Sequence, residues 1–238
     1  METPINFNEK KGFICDMDGV IYHGNHILPG AAEFIHWLQD THKEYLFLTN
    51  NSGMTPRELH QKLGRMGLDV PEEHFYTSAL ATAAFLADQT PGCSVYALGE
   101  AGLLNALYDR GITMNDVNPD YVVIGANSDT CGPTDEGIAP ACRALIAPVE
   151  IATGKQAYFC GKPNPLMMRT GLRMLGCHSG EAVMIGDRMD TDVISGMESG
   201  MSTVLVLSGV STRATLDEFA YRPSVVLDGV GDIPRLAQ

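Results

Sequence analysis

The chain has 238 residues, 45% of them hydrophobic, enough for one large domain or two modest ones with a real core. Its 16 Lys and Arg stand against 29 Asp and Glu, a formal charge of −13, which argues against a general affinity for nucleic acid or anionic membrane. No apolar run approaches a membrane span, none of the six cysteines forms a C-x-x-C pair, and the polar start METPINFNEKK lacks the pattern of a secretory leader, so reduced thiols in a cytoplasmic setting are expected.

The first β-rich run, GFICD (12–16), has no polar alternation and ends in Asp16, with Asp18 two residues on and Gly19 behind it. In extended chain, residues i and i+2 point to one side, so both carboxylates can face one cleft. Two like charges that close call for a cation between them. A lone Asp before glycine is more often an ordinary turn; D-x-D-G-V directly after an apolar strand tips the balance toward chemistry. A helix follows over GAAEFIHWLQDTH, with Phe34, Ile35 and Leu38 on one face. The run YLFLTN (45–50) ends at Thr49 and Asn50, and LTNNSG (48–53) sets a hydroxyl, amides and backbone N–H groups before a helix start at Thr55-Pro56. That is a ready anion site, although the same residues also make a plain capped loop. The helix PRELHQKLGRMG aligns Leu59, Leu63 and Met66 and stops at Gly67.

Two further strands are expected at SVYALG (94–99) and DYVVIG (120–125). The polar, glycine-bearing NSDTCGPTDEG (127–137) is a candidate substrate-facing loop and equally an ordinary surface loop. In CGKPNP (160–165), Lys162 sits between glycine and proline just before the helix NPLMMRTGLRMLG. Most loop lysines are solvated charges; one held this way can offset crowded carboxylates and a phosphate dianion. AVMIGD (182–187) ends at Asp187, and GDRMDTD places Asp192 five residues on, at a helix start where Asp190 or Thr191 suits capping. Asp187 and Asp192 could approach one ion, directly and through water, as Mg²⁺ permits. TVLVLSG (203–209) and SVVLDG (224–229) complete the strands. Continuous apolar runs alternating with helices predict an α/β fold, a doubly wound parallel sheet whose ligands bind outside the carboxyl ends of the strands. No G-x-G-x-x-G follows the first strand, which disfavours a Rossmann dehydrogenase.

Four motifs in this order, DMDGV, LTNNS, GKPNP and GDRMDTD, resemble the haloacid dehalogenase-like (HAD) superfamily, and more narrowly its NagD-type phosphatases with an inserted α/β cap. The likeness runs along most of the chain, including LPGAAEFI, FYTSALATAAFL and TVLVLSGV. It implies a Rossmann-like core of residues 1–79 and 156–238 with a smaller cap over 80–155. It further implies an Mg²⁺-dependent phosphomonoesterase acting on a small phosphorylated metabolite, of nucleoside monophosphate or sugar phosphate type. By the resemblance Asp16 is the nucleophile that forms an aspartyl-phosphate, and Asp18 the acid and base. Thr49 and Asn50 hold the phosphate, and Lys162 bridges it to Asp16. Mg²⁺ is bound by Asp16, the backbone carbonyl of Asp18 and Asp187, with Asp192 in its outer shell. A homodimer is also implied. One departure stands out. Gly125 meets Ala126 directly where relatives place about one further helix and strand, on the order of two dozen residues. A cap short by that unit leaves apolar surface uncovered. The other functions compatible with these motifs are a phosphomutase, and a non-catalytic metabolite-binding module if the cap is truncated.

Overall fold

The computed structural model describes residues 5–134 and 137–237. Six strands form one fully parallel sheet: β1 (Gly12–Cys15), β4 (Glu44–Thr49), β5 (Phe75–Thr77), β11 (Ala182–Gly186), β12 (Ser202–Val206) and β13 (Val225–Leu227), in the order β13-β12-β11-β1-β4-β5. The order reverses at β1, the place where open α/β sheets form their ligand crevice. Each strand is apolar on both faces for a visible reason. Phe13, Phe47, Val183 and Ile185 enter one core cluster, with Phe34 and Leu38 of α1 (Ala31–Asp40) and Leu59 and Leu63 of α2 (Pro56–Arg65). Ile14, Leu46, Leu48 and Met184 enter the other, with Met167 and Met168 of α6 (Pro165–Leu175). The internal glycine of α6 is a packing device: a Cβ on Gly171 would lie 2.9 Å from Ile14 Cδ1.

The strands, and the helices α1, α2 and α6, form where the sequence pattern puts them, within three residues at the ends. Several short elements had no such pattern. The hairpin β2 (Tyr22–His23) and β3 (His26–Ile27) is too short for periodicity, and β5 is a three-residue strand. Helices α3 (Ser78–Gln89), α4 (Ala101–Asp109) and α5 (Cys142–Thr153) carry apolar residues on more than one face.

A second, three-stranded parallel sheet runs β7-β6-β8, from β6 (Ser94–Leu98), β7 (Thr113–Met114) and β8 (Tyr121–Ile124). Helices α3 and α4 cover one face through Ala79, Ala83, Leu103 and Leu107. On the other face Tyr96, Leu98 and Val122 are exposed. Parallel sheets are ordinarily covered on both faces; here α3 and α4 cover one. Helix α3 spans the boundary expected at 79–80. Its Ala79, Ala83 and Leu86 pack in the small-sheet cluster, while Ala81 packs in the second cluster of the large sheet. After β8, Gly125 takes a left-handed turn (φ 59°) and the chain passes into the hairpin β9 (Cys131–Thr134) and β10 (Gly137–Pro140). Residues 135 and 136 of the candidate loop lie outside the described residues. Helices α7 (Ile194–Glu198) and α8 (Asp232–Leu236) complete the fold. No described helix is long and apolar enough to cross a membrane.

Candidate active site

The carboxyl ends of β1, β4 and β11 bring three of the four motifs together, because these strands are neighbours in the sheet. Asp16 leaves β1 with its N–H still donating to Ile185 O at 2.9 Å, which fixes its direction. Asp187 follows the last residue of β11, and its Oδ2 accepts from Val210 N at 2.7 Å. Asp192 sits in the wide turn Met189–Val193 that enters α7. Oxygens of Asp16, Asp187 and Asp192 all lie within 4.8 Å of one another, and all three residues are buried.

The fourth motif supplies the counter-charge. Lys162 is 1% exposed, and its ammonium donates to Asp16 Oδ1 at 2.8 Å and to Asp192 Oδ1 at 2.7 Å. Burial works to lower its pKa, yet the charges of Asp16 and Asp192 together outweigh burial and hold it above the ordinary lysine value. Three carboxylates around one ammonium still leave a formal −2 (−3 + 1). Burial first, then Asp192 and Asp16, pushes Asp187 well above the usual carboxylate range. Burial likewise raises Asp192, against the pull of Lys162. A set of hard oxygen donors with this excess of negative charge suits a divalent, oxygen-preferring cation such as Mg²⁺. Asp192 has little to offer such an ion directly: Oδ1 is taken by Lys162, and Oδ2 accepts from Arg188 N at 3.1 Å.

Asp18 differs from Asp16 in its surroundings. Its side chain is half exposed and faces the cavity, 3.6 Å from His23 Nδ1. Burial and then the nearby Asp16 raise its pKa. Gly19 lets the chain turn here, at φ 76°, and leaves room for Asp187: a Cβ would lie 2.6 Å from Asp187 Oδ2. The turn launches the β2–β3 hairpin, whose Tyr22 and His23 line the cavity.

Thr49 and Asn50 end β4 beside these groups, both buried. The Thr49 hydroxyl accepts from Asn51 N at 3.1 Å and keeps its own proton to donate. The Asn50 side chain is already spent: Oδ1 accepts from Lys162 N at 2.6 Å, and Nδ2 donates to Lys162 O at 3.0 Å and to Asp129 Oδ1 at 3.2 Å. It works as a buckle on the lysine loop, leaving the backbone N–H as the part of Asn50 available to an anion.

The segment after β8 closes over this floor. Gly161 N donates to Ala126 O at 2.9 Å and Asn127 Nδ2 donates to Asn50 O at 2.7 Å, while from α4 Gly102 N donates to Gly53 O at 2.9 Å. These elements border an open cleft of about 1220 Å³. Asp16, Asp18, Thr49, Asn50, Asp187 and Arg188 line it, together with Leu98, Glu100, Ile124 and Asp129. Asp18, Asp16, Thr49, Asn50, Lys162, Asp187 and Asp192 are thus brought to one place. Sequence reasoning did not single out His23, Glu100, Asp129 or Arg188. Arg188 lies within a motif and Asp129 within the candidate loop, but neither residue type carries a signal until the fold places it.

A haloacid dehalogenase-like hydrolase family model matches residues 13–113, and a HAD-hydrolase-like model matches residues 159–233. The chain is 42% identical to a dihydroxyacetone phosphatase of Corynebacterium glutamicum, covering 93% of this chain and 90% of that one. It is 39% identical to the ribonucleotide monophosphatase NagD of Escherichia coli, covering 94% and 98%. That second alignment runs over 248 positions, more than the 238 residues of this chain, so NagD carries residues with no counterpart here. Among solved structures, NagD from E. coli superposes with a TM-score of 0.87 at 38% identity, covering 94% of this chain and 98% of that one. A 4-nitrophenylphosphatase from Thermotoga maritima superposes at 0.92 with 29% identity, covering 98% and 100%. The chain therefore belongs to the haloacid dehalogenase-like hydrolases, among their NagD-type phosphatases, and is a phosphomonoesterase.

Proposed function

We propose that the enzyme hydrolyses small phosphorylated metabolites, of nucleoside monophosphate or sugar phosphate type, through an aspartyl-phosphate on Asp16, with Mg²⁺ as cofactor. One observation carries this: Lys162 holds Asp16 in the lining of the cavity while Asp18, two residues away, faces the same space with a raised pKa. Two carboxylates in unlike surroundings can divide nucleophile and acid–base work. The names of the relatives, a dihydroxyacetone phosphatase and a ribonucleotide monophosphatase, support a small monoester.

In this proposal the Thr49 hydroxyl, the Asn50 backbone N–H and Lys162 hold the phosphate. Asp16 attacks phosphorus, the bond to the leaving oxygen breaks, and Asp18 gives that oxygen its proton. Asp18 then takes a proton from the water that attacks the aspartyl-phosphate, which frees phosphate and restores Asp16. Asp16, the backbone carbonyl of Asp18 and Asp187 would hold Mg²⁺, with Asp192 behind them. The ion, when bound, supplies positive charge to the transferring phosphoryl group. Residues 80–155 act as a cap that keeps bulk water out during the first step, and 1–79 with 156–238 form the catalytic core. The helix and strand lacking relative to NagD fall at 125–126 in this proposal. A homodimer would cover exposed apolar area on the small sheet, a point that sedimentation at several concentrations decides.

Asp16→Asn tests the assignment. The expected result is a folded protein without turnover, and loss of the acid-quenched phosphoryl adduct that mass spectrometry finds on Asp16 in the parent. Metal-dependent hydrolysis persisting in the variant, or an adduct on another residue, refutes it.

A further inference from the structure

We infer that the leaving-group half of the cavity accepts a neutral, hydroxylated alcohol and turns away one carrying a second anion, with Glu100 and Asp129 as the specificity-determining residues. This rests on the phosphatase assignment above and adds a charge rule to it.

The charges around the cavity are unevenly shared. On the phosphate side, Lys162 is committed to Asp16 and Asp192. The carboxylates of Glu100, Asp129 and Asp18 line the same cavity, Asp129 beside the Asn50 amide and in the field of Arg188 and Lys162. Among the described residues, neither Glu100 nor Asp129 forms an ion pair within 4.0 Å. Arg188 and His23 are the basic residues that line the cavity beside them. Arg188 lines the cavity but is clamped by Asp190, through Nε at 3.1 Å and Nη2 at 2.9 Å. His23 lies beside Asp18.

Asp129 is held in place. Its N–H donates to Asn127 Oδ1 at 3.1 Å, its carbonyl accepts from Arg143 N at 3.0 Å, and its carboxylate accepts from Asn50 Nδ2. Glu100 lies against the 51–53 loop, its Oε2 2.2 Å from where a Cβ on Gly53 would be. A carboxylate is an acceptor-only group, so these two can receive hydroxyl protons from an alcohol and repel a carboxylate or second phosphate. Beside them, Leu98, Ile124 and Val149 give an apolar wall for the carbon face of a sugar or a base. A cavity of about 1220 Å³ is roomy enough for a nucleoside, so charge rather than size does the sorting. The same rule disfavours a phosphomutase, which must hold a bisphosphate.

A like charge several ångströms from an uncompensated carboxylate, at the effective dielectric near a protein surface, costs about tenfold in affinity. The test compares kcat/KM for two matched pairs: 2-hydroxyethyl phosphate against 2-phosphoglycolate, and fructose 6-phosphate against fructose 1,6-bisphosphate. The parent is expected to favour the neutral member of each pair by about tenfold or more. Glu100→Gln and Asp129→Asn, both close in shape to the parent, are each expected to narrow that ratio several-fold, mainly through KM of the anionic member. Equal kcat/KM within the pairs, or a ratio unmoved in both variants, overturns the inference while leaving the phosphatase assignment standing. Failure to hydrolyse p-nitrophenyl phosphate in the same assay, with metal present, overturns that assignment and the inference with it.

Discussion

Lys162→Met replaces the buried ammonium by a group of similar length and no charge. Each of its two pairs, at 2.8 and 2.7 Å, gains ~6 kcal/mol at an effective dielectric near 20, before the ions lose their water. Desolvation returns several kcal/mol of that per ion. What remains when one partner is deleted is the strain of stranded carboxylates, about 3–5 kcal/mol for a broken buried pair. The sign with pH is fixed by proton counting. Without the lysine, Asp187 and Asp192, both raised by burial, hold protons more tightly folded than unfolded, so the folded state binds the extra protons. Stability then falls as pH rises above the usual carboxylate range, roughly 4. Urea unfolding of metal-free protein should show the variant weaker by about 3–5 kcal/mol near pH 8 and by less near pH 5. A deficit below about 1 kcal/mol near pH 8, the scale of an ordinary surface change, refutes the role of Lys162 as the compensating charge.

The other predictions follow from the same packing and charge. Asp187→Asn removes a carboxylate whose pKa is raised by burial, so the metal-free variant should melt higher than the parent near pH 8 and gain little from added Mg²⁺; a variant stabilised by Mg²⁺ as much as the parent argues against Asp187 as a ligand. Asn50→Ala strands Lys162 N and O, which should cost about 1–3 kcal/mol in urea unfolding and raise KM, since the lysine loop loses its buckle; unchanged stability counts against it. Gly171→Leu improves helix propensity yet drives a side chain into Ile14, and should lower stability by about 1–3 kcal/mol; a more stable variant would show that α6 has slack against the sheet.

Much of the core was legible because its physics is local and periodic. The runs around Phe13, Leu46, Val183 and Val204 lack alternation because they are covered on both faces, and that alone signals a parallel sheet. Asp16, Thr49 and Asp187 were found because each is a polar residue that ends an apolar strand. The elements of the small sheet were harder. Helices α3 and α4 pack on more than one neighbour, and the periodic stripe is blurred.

The chain's own order of residues determined the chemistry it can host: two carboxylates with one residue between them, a hydroxyl–amide loop, a lysine between glycine and proline, and an acidic turn. It could not say which groups touch. Tertiary structure decided that Lys162, 146 positions from Asp16 (162 − 16), is the group that balances Asp16 and Asp192 rather than a solvated charge. It decided that the Asn50 amide holds the lysine loop, leaving its backbone to face an anion. It also brought Asp129 and Glu100 into the cavity lining, where neither forms an ion pair within 4.0 Å among the described residues. The reason is that a residue's type is local, whereas burial and charge partners come from segments that only the folded sheet brings side by side.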